Sequence, residues 1–187
     1  RRLFERFLEN CLRSAMYQLE SFSADGALVT HLSMPYRALF IAADEEEADA
    51  IVVGLNKPEM LQTLAAIRYQ VETAGLTMDD GLKILTDRVS RSEFYNNYGA
   101  LKDGLIPDTN WKAANEWRVF TLTDMEPIAK AMAAHVRGCY AGERLVVTAI
   151  NAAVTMIDIT AIDIEVQFNE AYQIAFGEVM GTEQATE

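Results

Sequence analysis

The first apolar pattern in the chain is helical. Phe4, Phe7, Leu8, Cys11, Leu12, Ala15, Met16, Leu19 and Phe22 recur at three- and four-residue spacing, the period at which side chains return to one helix face. The spacing predicts an amphipathic helical arm over residues 3–22, stopped by Asp25-Gly26. Its Phe- and Leu-rich face has to be buried, either on the rest of this chain or on another one. Residues 27–42 break into short apolar pieces around Pro35 and read as a linker. The four acids Asp44-Glu45-Glu46-Glu47 then repel one another unless they face solvent or open a helix. They predict a short helix over Ala48–Val53, closed by Gly54 and Asn56.

Pro58 suits the first turn of a new helix, which Met60, Leu61, Leu64, Ala65, Ile67, Arg68 and Val71 carry to Gly75. Two alternating runs, Leu76–Met78 and Leu82–Thr86, flank Asp79-Asp80-Gly81 and predict a β-hairpin. Ser90 and Glu93 have capping-box spacing, so a helix is expected from Arg91 to Asp103, stopped by Gly104. A second hairpin is expected across Trp111–Thr121, turning at Ala114-Asn115-Glu116.

Thr123 with Glu126 reads as a second capping box, opening the longest helix, which should reach about Ala153. Its buried stripe runs through Ile128, Ala131, Met132, His135, Cys139, Val146, Ala149, Ile150 and Ala153. Gly138 and Gly142 weaken that helix by ~1 kcal/mol each relative to Ala, which implies that another element packs closely there. Thr155 with Asp158 caps one short turn, and Ile162–Phe168 alternates as a half-buried strand does. A last helix is expected from Asn169 to about Met180, followed by a polar tail. The expected fold is α+β: helices with two short β-hairpins packed on a long helix of the C-terminal half, plus the helical arm. The expected division is 1–58 for arm and acidic linker, 59–168 for the α+β domain, and 169–187 for helix and tail.

Composition narrows the function classes. The 187 residues are half hydrophobic and one quarter charged, an ordinary globular mixture. A formal charge of −12 repels phosphate backbones and anionic lipid, so neither nucleic acid nor a membrane is expected as partner. Arg1, Arg2, Arg6 and Arg13 are interleaved with Glu5 and Glu9, which makes a mixed helix surface and not a phosphate-binding stripe. Leu145–Ile150 is too short an apolar run to cross a bilayer. Cys11 and Cys139 belong to no CxxC or Cys/His ligand set, as in a reducing compartment, and a disulfide between them is not the preferred reading. Arg at position 1, where a natural start would carry Met, leaves residues upstream open.

Candidate chemistry is thin. His135 and Cys139 stand one helical turn apart and could seat a base and nucleophile or two metal ligands. A third ligand or orienting acid has no sequence signature, so a hydrogen-bonded core His beside a small buried Cys is preferred. His31 reads as a surface or linker residue. Nucleotide-loop, hydrolase-elbow and zinc-protease motifs are absent. The acid run 44–47 lacks the spacing of a metal site, and Asp79-Asp80-Gly81 lacks the closing acid of a calcium loop, Arg91 and Ser92 standing there instead. No catalytic, cofactor or metal residues are therefore expected. Trp111 and Trp117 admit sugar stacking or partner binding, although core packing opposite a long helix is preferred for both. Phe4, Phe7, Leu8 and Leu12, with Trp111 and Trp117, are the candidate partner-binding residues.

Several of these pieces occur together and in order. They are Ala65-Ala66-Ile67-Arg68 through Gly75; Ile84-Leu85-Thr86-Asp87-Arg88-Val89-Ser90; Trp111-Lys112-Ala113-Ala114-Asn115; Ala134-His135-Val136-Arg137-Gly138-Cys139-Tyr140-Ala141-Gly142-Glu143; and Thr160-Ala161-Ile162-Asp163-Ile164. From about Leu64 to Phe168 the chain resembles domain of unknown function 4376, found in tail and tail-fibre-associated proteins of tailed phages and prophages. The resemblance implies a virion or tail-assembly role without known catalysis, and it carries no established active site. The expected function is a non-enzymatic structural component of a phage tail, made in the bacterial host cytoplasm and kept in the virion. Its expected partners are other tail or fibre proteins and further copies of itself. A tail-fibre assembly chaperone that leaves before completion is the alternative, and an enzyme the weakest one.

Overall fold

The computed structural model describes residues 16–181, so the candidates Phe4, Phe7, Leu8 and Leu12 lie outside the described residues. The fold is α+β, and the described chain divides into two compact units, residues 16–66 with 143–169 and residues 67–142 with 170–181. The division falls inside three helices: α1 (Glu45–Thr73), α3 (Leu122–Ala152) and α5 (Ile164–Met180).

The first unit opens with an antiparallel sheet in the order β1 (Tyr17–Ser23), β2 (Gly26–His31), β3 (Arg37–Phe40). This corrects the helix expected to reach Phe22 and the linker expected over 27–42. Met16, Leu19 and Phe22 fit a helical period, but β2 alternates with period two, Ala27 and Val29 being fully buried on one face. Pairing with β2 decides the conformation of Tyr17–Ser23, because a strand satisfies its backbone only beside another strand. Ala24-Asp25 is the hairpin turn between them, and Gly26 opens β2 opposite Ser23. Gly26 has φ +126°, and a Cβ there would stand 2.1 Å from the Phe40 carbonyl oxygen, so only glycine fits.

Helix α1 corrects the two separate helices expected before and after residue 56. Gly54 and Pro58 both lie inside it. The carbonyl that Pro58 leaves without a donor is that of Gly54, four residues earlier, so the two stop signals weaken one turn of a single helix. Buried Val52, Val53, Asn56, Met60 and Leu64 give that helix its inward face. Asn56 is a fully buried polar position. Its Oδ1 accepts from Met16 N at 2.7 Å and Tyr17 N at 2.9 Å, while its Nδ2 donates to the carbonyls of Tyr17 (2.9 Å) and Val52 (3.0 Å). One side chain thus satisfies the backbone where β1 begins.

In the same unit Thr155 and Asp158 form the expected capping box of α4 (Met156–Thr160). Ile162–Phe168 is not the expected strand, because α5 starts at Ile164 and Asp163 Oδ1 accepts from Val166 N. Ile164 and Phe168, one turn apart, are buried, whereas Val166 between them is 49 % exposed. The alternation was compatible with both periods, and a short run cannot separate them.

The second unit holds both expected hairpins, β4 (Leu76–Thr77) with β5 (Lys83–Ile84) and β6 (Thr109–Lys112) with β7 (Trp117–Phe120). The turn residue Asn115 ties them together: its Oδ1 accepts from Lys83 N and its Nδ2 donates to the Gly81 carbonyl. Helix α2 (Arg88–Lys102) is capped by Asp87, which accepts from Val89 N and Ser90 N, and not by the Ser90/Glu93 box. Helix α3 likewise starts at Leu122, one residue before its expected cap Thr123, with Thr121 N donating to Asp124. Phe94, Phe120, Met125, Met132, Leu82 and Ile84 fill the core of this unit. Gly138 meets the close packing expected of it, since an added Cβ would stand 2.7 Å from the Tyr172 ring.

Asn56→Ala leaves two backbone donors without an acceptor, each worth ~1–3 kcal/mol when buried. A loss of about 2–4 kcal/mol in urea unfolding is expected, and a loss under about 1 kcal/mol would show that the strand start does not need the clamp.

Candidate functional site

The residues with most chemical potential meet inside the second unit. Glu72, near the end of α1, is buried, and its carboxylate is held by two guanidinium groups, Arg68 one turn back and Arg91 of α2 with Nη2 at 2.6 Å. Its backbone carbonyl accepts from Thr86 Oγ1 at 2.6 Å and from His135 Nε2 at 3.2 Å. Thr86 Oγ1 in turn accepts from Gly75 N at 3.0 Å.

A carbonyl only accepts, so His135 carries its proton on Nε2, and Nδ1 accepts from the Tyr172 hydroxyl at 2.7 Å. The imidazole is therefore fixed as one neutral tautomer. Burial pushes its pKa below the ordinary 6.5, against the smaller opposing pull of nearby carbonyls. Burial also pushes the Cys139 thiol up to about 11 and the Tyr172 hydroxyl up to about 12. A nucleophilic cysteine needs the opposite shift, toward thiolate at neutral pH. His135 and Cys139 are both buried core residues here, and the cluster is arranged to hold four elements in register.

Other sequence candidates separate. His31 is not the surface residue expected, for its side chain is 3 % exposed and its Nε2 lies 3.2 Å from the Glu59 carboxylate. The ring sits edge-on to Tyr17, its cross-strand neighbour, at 4.6 Å. Trp111 packs as expected against Phe94, ring centroids 5.7 Å apart. Trp117 does not: it is 69 % exposed, because β7 presents it on the face away from the core.

Two surface grooves of this unit bring Tyr or Trp rings beside charged groups. One, about 630 Å³, is lined by Arg88, Arg91, Arg137, Tyr95 and Tyr140. Arg91 is committed to Glu72, and Arg137 to Glu178 and the Ala175 carbonyl. The other, about 350 Å³, lies between α2 and the second hairpin and includes both tryptophans, Glu93, Asn96, Asn97, Asn110 and Lys112. Sequence reasoning missed the asparagines, although Glu93, Asn96 and Asn97 stand at the i, i+3, i+4 spacing of one helix face. Among the described residues no group of three His, Cys, Asp or Glu side chains is placed to hold a metal ion. No described helix is long and apolar enough to cross a membrane.

These features define a small α+β protein whose second unit is organised around a buried ionic and histidine cluster. The profile of the domain of unknown function DUF4376 matches residues 56–166, more than half of the chain, and the chain belongs to that family. No curated protein and no solved structure matches it. Motif residues that carried the resemblance, Arg68, Thr86 and His135, meet at Glu72 together with Arg91.

The His135 environment sets a pH dependence. Because the folded pKa lies below 6.5, the unfolded chain takes up this proton first. The stability due to neutral His135 is fully present above about pH 6.5 and falls with decreasing pH by at most ~1.4 kcal/mol per unit, down to the folded pKa. His135→Gln should flatten the pH dependence of the urea midpoint below about pH 6.5, and parallel wild-type and variant curves would refute the assignment. In a Cys11→Ser background, Cys139 should react with a disulfide reagent such as dithionitrobenzoate only at the rate of unfolding. Rapid labelling of the native protein would contradict its burial.

Proposed function

We propose that this chain is a non-enzymatic structural component of a bacteriophage tail, made in the host cytoplasm, kept in the virion and acting through contacts with other tail or fibre proteins and with further copies of itself. Family membership supports the setting, through the tail and tail-fibre role that the resemblance implies. The observation that carries the contact role is a set of large apolar side chains left in water in the first unit. Ile41 is 94 % exposed, Ile157 80 %, and Val154, three residues before Ile157, is also strongly exposed.

Single exposed aliphatics are ordinary on protein surfaces. Two within one turn at the start of a helix are worth more, because burying each such side chain on a partner contributes ~1.5–3 kcal/mol. Phe4, Phe7, Leu8 and Leu12 extend the same chemistry along the sequence. The buried chemistry is consistent with this role, since both nitrogens of His135 serve the packing of the unit.

Mass spectrometry of purified phage particles should find the chain in stoichiometric amount. Val154→Asp with Ile157→Asp should leave the circular dichroism spectrum unchanged and lower incorporation at least about tenfold, the equivalent of ~1.4 kcal/mol of contact. Absence from particles together with co-purification on free fibres would replace this reading by that of an assembly chaperone.

A further inference from the structure

From the groove between α2 and the second hairpin we infer that the second unit carries a carbohydrate-binding site for a β-linked pyranose chain, with Trp117 as the stacking platform. The inference does not rest on the tail reading. Three features of the groove carry it.

The first is the platform. Trp117 stands directly opposite Lys112 in the β6–β7 register, and the Lys112 ammonium lies 5.7 Å from the indole centroid. A cation at that distance holds the ring in place while the indole remains 69 % exposed. An exposed, oriented indole offers a flat, weakly polar surface at little entropic cost. That surface matches the axial C–H face of an all-equatorial sugar ring.

The second is the polar flank. Glu93, Asn96 and Asn97 project from one face of α2, and Asn110 shares the hairpin face of Lys112, two residues along the same strand. Asn97 is fixed, accepting from Thr109 Oγ1 and donating to the Glu93 carbonyl, both at 2.9 Å. The side chains of Glu93, Asn96 and Asn110 form no hydrogen bond among the described residues. Two amides and a carboxylate present unengaged donors and acceptors, the complement of adjacent hydroxyls, each of which both donates and accepts.

The third is what the lining lacks. A protein-binding hot spot is a well-packed pocket around Trp, Tyr or Arg that dries completely. Here everything apart from the two indoles is amide, carboxylate or ammonium. A nucleic acid strand would also stack on an indole, but Glu93 beside a single Lys112, in a protein of charge −12, repels its phosphates. A neutral polyhydroxylated chain satisfies both halves of the groove.

The test uses the full chain labelled with ¹⁵N, whose two indole N–H signals are assigned by Trp117→Phe. Titration with cellohexaose and chitohexaose, both β-linked, should shift the Trp117 signal saturably with a Kd of about 1 mM or tighter, the Trp111 signal moving less. Trp117→Ala should abolish binding, Trp117→Phe should retain part of it, and Asn96→Ala should weaken it by roughly five- to tenfold, as for loss of one hydrogen bond. Unchanged circular dichroism and thermal midpoint of the variants are expected, because Trp117 and Asn96 lie outside the core. Failure of both sugars to move the Trp117 signal in the folded protein would overturn the proposal. So would binding that survives Trp117→Ala, or a Trp117 shift that follows protein concentration instead of sugar, which would make the face a self-association surface.

Discussion

A carboxylate buried between two guanidinium groups is an expensive thing to build. Removing Glu72 from water costs several kcal/mol, and the attraction of Arg68 and Arg91 offsets that cost only because the geometry is tight. Deleting one partner of such a pair costs ~3–5 kcal/mol, since a charge is then left alone in the core. The same residue's carbonyl is shared by Thr86 and His135. Glu72 therefore fixes the end of α1 against α2, against the segment after β5 and against α3, and His135 passes the constraint on to Tyr172 of α5. Tyr172 in turn lies where a side chain on residue 138 would be, so Gly138 belongs to the same arrangement. Register in this unit is set by directional hydrogen bonds as well as by the less directional packing of Phe94, Phe120 and Met132.

That dependence explains what could be read along the chain. Both hairpins of the second unit, the stops at Gly75 and Gly104 and the stripe of α3 are written in local turn chemistry and period, so they were legible. Caps shifted by two or three residues because Asp87 accepts from Val89 N and Ser90 N, and Thr121 donates to Asp124, before Ser90 or Thr123 can open the helix. In the first unit the deciding contacts are long-range. Tyr17–Ser23 becomes a strand by pairing with β2, and α1 runs through Gly54 and Pro58 while Asn56 reaches the backbone at Met16 and Tyr17, about forty residues away. No window of a dozen residues contains that information.

The functional surface was partly legible for a related reason. His135 and Cys139 could be assigned to the core from their stripe, and the structure adds why: both ring nitrogens are engaged and the thiol is driven away from its reactive form. Trp111 and Trp117 looked alike in sequence. Six residues apart on the two strands of one hairpin, they fall on opposite faces because Trp111 pairs with Arg118 and Trp117 with Lys112. Composition cannot separate them, but register does. The asparagine face of α2 was present as a spacing, yet it gains meaning only when the hairpin brings Trp117 beside it.

Net charge joins these surfaces to a physical requirement. A protein that keeps Ile41, Ile157 and Trp117 in water risks indiscriminate association through each of them. With a formal charge of −12, two copies approaching at random repel one another at ranges up to the Debye length, ~8 Å in physiological salt. Close contact is then reached only where local complementarity exceeds that repulsion, which favours a defined partner surface over a chance apolar encounter. The repulsion does not act on a neutral saccharide. The same acidic surface can therefore restrict protein contacts to specific partners while leaving the Trp117 groove open to an uncharged ligand.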